Sequence, residues 1–427
     1  MLDIKLLREQ PELVRTALLK RLPNVDLSGV LALDETRREV LSKLETQRNR
    51  RNEVSGNIPK LKAAGQDVQS LFSEMKTLGG SIKELEATLA EHETRINDFM
   101  ARLPNLPDDD VPAGGKEANR VIATWGDKPA FDFTPKDHVA LLSSLGMVDY
   151  ERGTKLGGSG FWVYRGDGSR IEWALLSFFM ERHLAAGYEF IMPPHLLLPQ
   201  CGYTAGQFPK FADDVFKLSV EGDEVSRFLL PTAETALVNL HRDEILSEAE
   251  LPRKYFAYTP CYRKEAGSYR TEERGTVRGH QFNKIELFQY TRPEDSSGAL
   301  ESMLKSARGL LEELGLHHRI SLLAAGDSSD AMAKTVDIEV WIPSMGQYKE
   351  VSSASNVRDY QARRGQIRFR REGQKKLELV HTLNASGLAT SRLLPAIVEQ
   401  FQQADGSVKV PPVLQKWLGK ERIALSA

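Results

Sequence analysis

From Leu71 to Leu103, apolar side chains return every three or four residues: Leu71, Met75, Leu78, Ile82, Leu85, Leu89, Ile96, Phe99 and Leu103, with His92 the one interruption. Such alternation, kept over more than four heptads, marks a helix that buries one narrow seam against another helix. An earlier segment repeats it more loosely through Leu33, Val40, Leu44, Val54, Ile58 and Leu61, broken by Arg37, Gln47 and Arg51. Between the two lies Ala63-Ala64-Gly65-Gln66-Asp67, a stretch able to turn the chain. Helices joined by so short a loop must run antiparallel, each roughly 30 residues or about 45 Å long. A single thin seam cannot fill a globular core, so the hairpin is expected to project from a body. Gly79-Gly80 should weaken its second helix by about 1 kcal/mol per glycine.

Charge is uneven along this hairpin. From Leu33 to Lys62 there are eight Lys/Arg against five Asp/Glu, a net of +3, whereas the second helix is net negative. Arg37, Arg48, Arg50 and Arg51 read either as the solvated flank of a coiled coil or as a strip for a phosphate backbone. The whole chain carries a net charge of −2, so a nucleic-acid partner would be met by a local patch. Cys201 and Cys261 show no metal-ligand spacing and no disulfide framework, which fits a reducing compartment and leaves no zinc site expected. No cationic lead with an apolar run opens the chain, and no run of about 18 apolar residues occurs, so a cytoplasmic protein without membrane spans is expected.

Pro104-Asn105-Leu106-Pro107, Asp108–Asp110 and Val111-Pro112-Ala113-Gly114-Gly115 then stop helices and read as a linker. The division expected is 1–106 for the arm domain, with its hairpin at about 31–103, 107–118 for the linker, and 119–427 for a second domain. In that second domain strands are predicted at Phe190–Met192, Phe228–Leu230, Tyr255–Tyr258, Ile285–Tyr290, Ile338–Ile342 and Leu377–Val380, and helices at about Ile171–Ala186, Ser297–Leu314 and Thr390–Gln402. Strands with interspersed helices and no repeating strand–helix unit argue an α+β fold with a largely antiparallel sheet. Neither GxGxxG nor a P-loop is present.

The stretch Cys261–Glu286 carries the most chemistry. It opens with Arg263-x-Glu265, passes a polar loop and closes on Arg278-x-x-x-Phe282. Two guanidinium groups can grip phosphate and carboxylate oxygens bidentately, and a phenyl face can stack on a purine. An arbitrary charged hairpin would otherwise read as solvated surface. Three further features stand in order around it: Gly187-Tyr188-Glu189-Phe190-Ile191-Met192-Pro193-Pro194 after a helix, Glu350-Val351-Ser352-Ser353-Ala354-Ser355-Asn356, and Asn384-Ala385-Ser386-Gly387-Leu388-Ala389-Thr390-Ser391-Arg392.

In order and spacing, the first of these, the Cys261–Glu286 stretch and the last resemble motifs 1, 2 and 3 of class II aminoacyl-tRNA synthetases. The coiled-coil hairpin, Leu103-Pro104-Asn105-Leu106-Pro107, Gly206-Gln207-Phe208-Pro209-Lys210-Phe211, Pro231-Thr232-Ala233-Glu234 and Glu350–Asn356 narrow the resemblance to the seryl-tRNA synthetase family, over nearly the whole chain. The resemblance implies a class II antiparallel-sheet catalytic domain that joins serine to ATP and passes the seryl group to tRNA(Ser). It implies serine contacts at Thr232, Ala233, Glu234, Arg263, Glu286, Asn384 and Ser386. It implies ATP contacts at Arg263, Lys264, Glu265, Arg278, Phe282, Glu350, Val351, Ser352, Ser353 and Arg392, with catalytic roles for Arg263, Glu350 and Arg392. Mg²⁺ would sit on Glu350 and Ser353, whose oxygens suit a hard cation. The arm would meet the long variable arm of the tRNA by shape, and motif 1 would build a homodimer.

The chain leaves the family pattern at three places: Arg270-Thr271-Glu272-Glu273 in the motif 2 loop, Gly326–Ala331, and Ala385 and Ser391 where glycines are usual. Side chains added at the last two are expected to crowd the nucleotide. An active synthetase is one reading. A diverged second copy, tolerant of a serine-mimicking inhibitor or serving another acceptor, is a second. A non-catalytic tRNA-binding homologue is a third, against which Arg263, Glu286, Glu350 and Arg392 argue.

Overall fold

The computed structural model describes residues 1–219, 222, 225–265 and 274–424. The motif 2 loop departure, Arg270–Glu273, lies outside them. The chain divides into two compact units, Leu2–Pro104, and Asn105–Ala427 together with Met1.

In the first unit two long helices, α1 (Ser28–Ala63) and α2 (Gln69–Arg102), form the expected antiparallel hairpin, and Gly79-Gly80 stays helical inside α2. Val40, Leu44 and Val54 of α1 and Ile82 and Ile96 of α2 are buried along the seam. At the base of α1 the seam position falls on Asp34 rather than Leu33. The buried Asp34 carboxylate accepts from Arg37 Nη2 at 2.8 Å and from Arg8 Nη1 at 2.9 Å. A lone charge there would be costly, and the surrounding guanidinium groups make it tolerable.

The second unit is built on one eight-stranded sheet. In chain order its strands are β1 (Arg120–Trp125), β2 (Glu189–Ile191), β3 (Arg253–Tyr262), β4 (Gln281–Thr291), β5 (His318–Leu322), β6 (Lys334–Ile342), β7 (Gln347–Arg358) and β8 (His381–Ala389). The spatial order is β1-β5-β6-β7-β8-β4-β3-β2, antiparallel at every pairing except β2 with β3. The fold is thus α+β, as expected. Four of these strands, β1, β5, β7 and β8, are not among the predicted ones. Serine, asparagine and glycine on β7 and β8 hide an alternation that propensity alone would find.

Three helices, α3 (Asp167–Ala185), α4 (Ser296–Leu314) and α5 (Thr390–Gln400), contribute to one apolar core. That core takes Ile285 and Leu287 from β4, Ile338 and Val340 from β6, Val351 and Ala354 from β7, and Leu383 and Ala385 from β8. Side chains alternate across a strand, so the intervening residues look the other way. They are Lys284, Glu286, Asp337, Ser353, Asn384 and Ser386, and they line a cavity. One face of the sheet therefore packs on these helices, and the other presents polar groups at the cavity and, farther along β4, Phe288 and Tyr290 to a second apolar cluster.

The stretch 107–118, expected as a linker, is tied into this unit. The Asn105 side chain donates to the carbonyls of Ala331 and Val357 at 2.9 and 2.8 Å, and the amides of Ala325 and Gly326 donate to the carbonyls of Pro112 and Gly114. Proline and glycine stop helix here, and backbone groups of the second unit take up the hydrogen bonds instead.

Candidate active site

Three adjoining cavities open on the polar face. The largest, about 470 Å³, is walled by Thr232, Glu234, Arg263, Lys284, Glu286, Asp337, Glu350, Ser353, Asn384, Ser386 and Arg392 among others. A second, about 420 Å³, shares Thr232, Glu234, Arg263, Arg278, Ser329 and Met332 with it, and adds Gly206, Gln207, Phe211, Glu265, Asp330 and Ala331. A third and narrower one lies between Phe282, Arg278 and Glu265 on one side and Arg392, Ser391 and Glu350 on the other.

Strand pairing explains the convergence. Glu286 on β4 stands opposite Ser386 on β8, Asn384 opposite Ser355 on β7, and Asp337 on β6 opposite Ser353 on β7. Phe282, Lys284 and Glu286 follow one another at intervals of two along β4, so all three can face the cavities. Arg263 follows the end of β3. Its Nε donates to the Pro231 carbonyl at 3.3 Å and its guanidinium lies 5.2 Å from the centre of the Phe282 ring. Arg278 forms an ion pair with Glu265. Arg392, in the first turn of α5, donates from Nε to the Val277 carbonyl at 3.1 Å and from Nη1 to the Glu350 carbonyl at 2.8 Å.

The floor is a buried polar network. Glu234 Oε1 accepts from Asn384 Nδ2 at 2.9 Å and Gln361 Nε2 at 2.7 Å, and Gln361 is oriented by the Thr382 hydroxyl at 2.7 Å. Burial, reinforced by the neighbouring Glu286 carboxylate, pushes the Glu234 carboxyl up to about 7. Lys284 Nζ sits 2.5 Å from Glu286 Oε2 and donates to the Thr232 hydroxyl at 2.6 Å. Asp337 is buried beside Glu350, and burial with that second carboxylate holds its carboxyl far above the usual range. Its Oδ1 has no partner among the described residues.

Residues 1–107 match the family described as seryl-tRNA synthetase N-terminal domain, and residues 216–401 the class II tRNA synthetase core domain (G, H, P, S and T). A protein of Clostridium acetobutylicum named Serine--tRNA ligase 2 is 59% identical over 425 residues, which is 99% of this chain and 100% of the relative. The chain belongs to the seryl-tRNA synthetase family. A Serine--tRNA ligase of Thermodesulfovibrio yellowstonii is 45% identical, covering 98% of this chain and 99% of its own. The crystal structure of seryl-tRNA synthetase from Pyrococcus horikoshii complexed with ATP superposes with a TM-score of 0.93 at 36% identity, with both chains fully covered.

Most of the expected seryl-tRNA synthetase site residues line these cavities. Ala233, Lys264 and Ser352 do not. Ala233 is fully buried, Lys264 engages Asp214 through its amide, and the Ser352 hydroxyl donates to the Ser386 carbonyl at 2.7 Å. Val351 reaches the narrow cavity although its side chain is buried. Of the two motif 3 departures, Ala385 faces the apolar core, so its methyl group stays clear of the cavities, while Ser391 lines the narrow one. Ser329, Asp330 and Ala331 of the Gly326–Ala331 departure line the second cavity. There Gly206 has φ +81, and a Cβ on it would come within 2.8 Å of the Ala331 methyl. Residues not anticipated are Lys284, Asp337 and Gln361. The first was open to the alternation of Lys284-Ile285-Glu286; the other two become visible only once the strands are paired.

In the arm, Arg37 turns inward to Asp34. Arg48 and Arg50 are half exposed and reach Glu86 at 2.7 Å and Glu74 at 2.8 Å. Arg51 is half-buried.

Proposed function

We propose that this seryl-tRNA synthetase activates L-serine with ATP and transfers the seryl group to the 3′-terminal adenosine of tRNA(Ser). The observation that carries this reading is the convergence of Arg263, Glu286 and Arg392 on adjoining cavities. A serine carboxylate oxygen attacks the α-phosphorus in line; the bond to the bridging oxygen breaks and pyrophosphate leaves. The adenosine hydroxyl then attacks the seryl carbonyl and releases AMP. No covalent bond to the protein is needed, so its work is positioning and charge stabilisation.

Arg263 bridges the serine carboxylate and the α-phosphate. Phe282 and Arg392 flank the adenine, Glu265 accepts from its amino group, and Arg278 lies beside the phosphates. Glu234 and Thr232 receive the serine ammonium group. Glu286, with Asn384 and Ser386 near it, receives the hydroxyl. A pocket that hydrogen-bonds the hydroxyl leaves its own polar groups unpaired with alanine, which gives strong rejection. Threonine must be refused by volume, a weaker device. Glu350 and Ser353 would hold Mg²⁺, and the idle Oδ1 of Asp337 beside them fits an oxygen-lined cation site. Such an ion neutralises phosphate charge. Among the described residues no three His, Cys, Asp or Glu side chains are grouped to bind a metal.

The arm meets the tRNA backbone through Arg48 and Arg50. Their ion pairs are surface pairs worth about 0–1 kcal/mol each, weak enough for phosphate to compete. Two chains assemble through motif 1, where Met192 is 78% exposed, and the helix α3 that precedes it, where Trp173 is 55% exposed. No described helix is long and apolar enough to cross a membrane, and we infer work in the cytoplasm, where charged tRNA is consumed. A second reading, a specialised second form of the enzyme, is favoured by the numeral in the name of the 59% identical relative.

Serine-dependent ATP–pyrophosphate exchange tests the proposal. It should be present in the natural chain and lost in Arg263→Ala with the fold retained. A well-folded chain without exchange would overturn it. Charging in the presence of a seryl-adenylate analogue separates the second reading, which expects tolerance.

A further inference from the structure

We propose that Glu172 is a positioning residue that holds the two walls of the adenine slot, Phe282 on β4 and Arg392 on α5, at a fixed spacing. The inference rests on the reading of that slot given above. The paired ladder between β8 and β4 reaches its end at Lys284 opposite Ala389. Past that point β8 turns into α5 while β4 runs on to Phe282, so the walls diverge just where backbone pairing stops.

Glu172 reaches this junction from the helix-covered side of the sheet. It rises from α3 and is only 3% exposed. Its Oε1 accepts from Asn283 Nδ2 at 2.8 Å and from Thr390 Oγ1 at 2.5 Å. Asn283 is the neighbour of Phe282, and Thr390 opens the helical turn that carries Arg392. The Thr390 hydroxyl also lies 3.2 Å from the Asn283 carbonyl, and the Tyr258 hydroxyl donates to Asn283 Oδ1 at 3.2 Å. A second tie, from the Thr276 hydroxyl to the Ser391 carbonyl at 2.8 Å, fixes α5 on its other side.

One oxygen thus joins the ends of two motifs to a third element. The other oxygen, Oε2, is buried without a partner among the described residues. Burying a carboxyl with an idle oxygen is costly. An apolar side chain of similar size would fill the space more cheaply, but it would leave Asn283 and Thr390 without their shared acceptor. Burial pushes this carboxyl up to about 7, so a glutamine is a close mimic near neutral pH.

The test is pyrophosphate exchange with KM measured separately for ATP and serine. Glu172→Ala should raise the ATP KM about tenfold, the scale of a lost buried hydrogen bond, and leave the serine KM within about twofold. Glu172→Gln, which keeps an accepting oxygen, should restore the ATP KM. Thr390→Val, which removes one donor and leaves Glu172 in place, should raise the ATP KM alone; it decides the matter should the alanine variant fail to fold. An unchanged ATP KM in both variants, or equal rises for ATP and serine, overturns the proposal. Phe282→Ala is the reference: if it leaves the ATP KM unmoved, the slot reading itself fails, and this inference with it.

Discussion

With the serine-ammonium contact proposed for Glu234, a single buried carboxyl would tie binding to pH. Its pKa of about 7 stands above the 4.5 of an ordinary glutamate. The folded chain therefore holds a proton that the unfolded chain has already lost, and its stability falls as pH rises from 4.5 towards 7, then levels off. An ammonium group needs the ionised form. The serine KM should fall as pH rises through about 7, by roughly tenfold per unit below that pKa, and Glu234→Gln should flatten the profile. Glu172 titrates in the same range, so the difference between the natural chain and Glu234→Gln is the quantity to measure. Lys284 gives a second prediction. Lys284→Met strands the Glu286 carboxylate without its cation, at a cost of about 3–5 kcal/mol in stability, measurable by denaturant unfolding. That Glu286 and Arg263 line the cavities was legible in the sequence because both stand in one short motif. Gln361 was not, since its contact with Glu234 joins residues 127 apart in the chain.

The elements were legible to unequal degrees. The heptad spacing located α1 and α2 within a few residues, because a seam repeated over many turns outvotes single exceptions such as Gly79-Gly80. It misplaced the seam at the base of α1, since no apolar pattern signals a buried aspartate held by arginines. Strands β3, β4 and β6 announced themselves through aromatic and β-branched runs. Strands β7 and β8 did not, because the residues facing the cavities are serine and asparagine. The arm should be separable in function. Replacing residues 34–102 by a short linker should leave pyrophosphate exchange within about twofold and reduce tRNA charging by about a hundredfold or more, as lost phosphate contacts would require. Arg48→Glu with Arg50→Glu should reproduce the charging defect with the arm intact. Equal loss of both activities would make the arm a structural part of the catalytic unit.

At the scale of the whole molecule, the 47.8 kDa chain should behave as a particle of about twice that mass in light scattering, and Trp173→Asp with Met192→Asp should halve it. A concentration-independent single-chain mass for the natural protein would remove motif 1 from that role. The eight-stranded sheet has a consequence that reaches further. Its apolar face and its cavity face are written on alternate residues of the same strands, so the two can change independently over generations. On the serine contacts proposed above, exchanges at Glu286, Asn384 or Ser386 would alter what is selected while Ile285, Leu287, Leu383 and Ala385 go on holding the helices. A scaffold of this kind is open to re-aiming toward another small amino acid by editing every second position, with no need to redesign its interior.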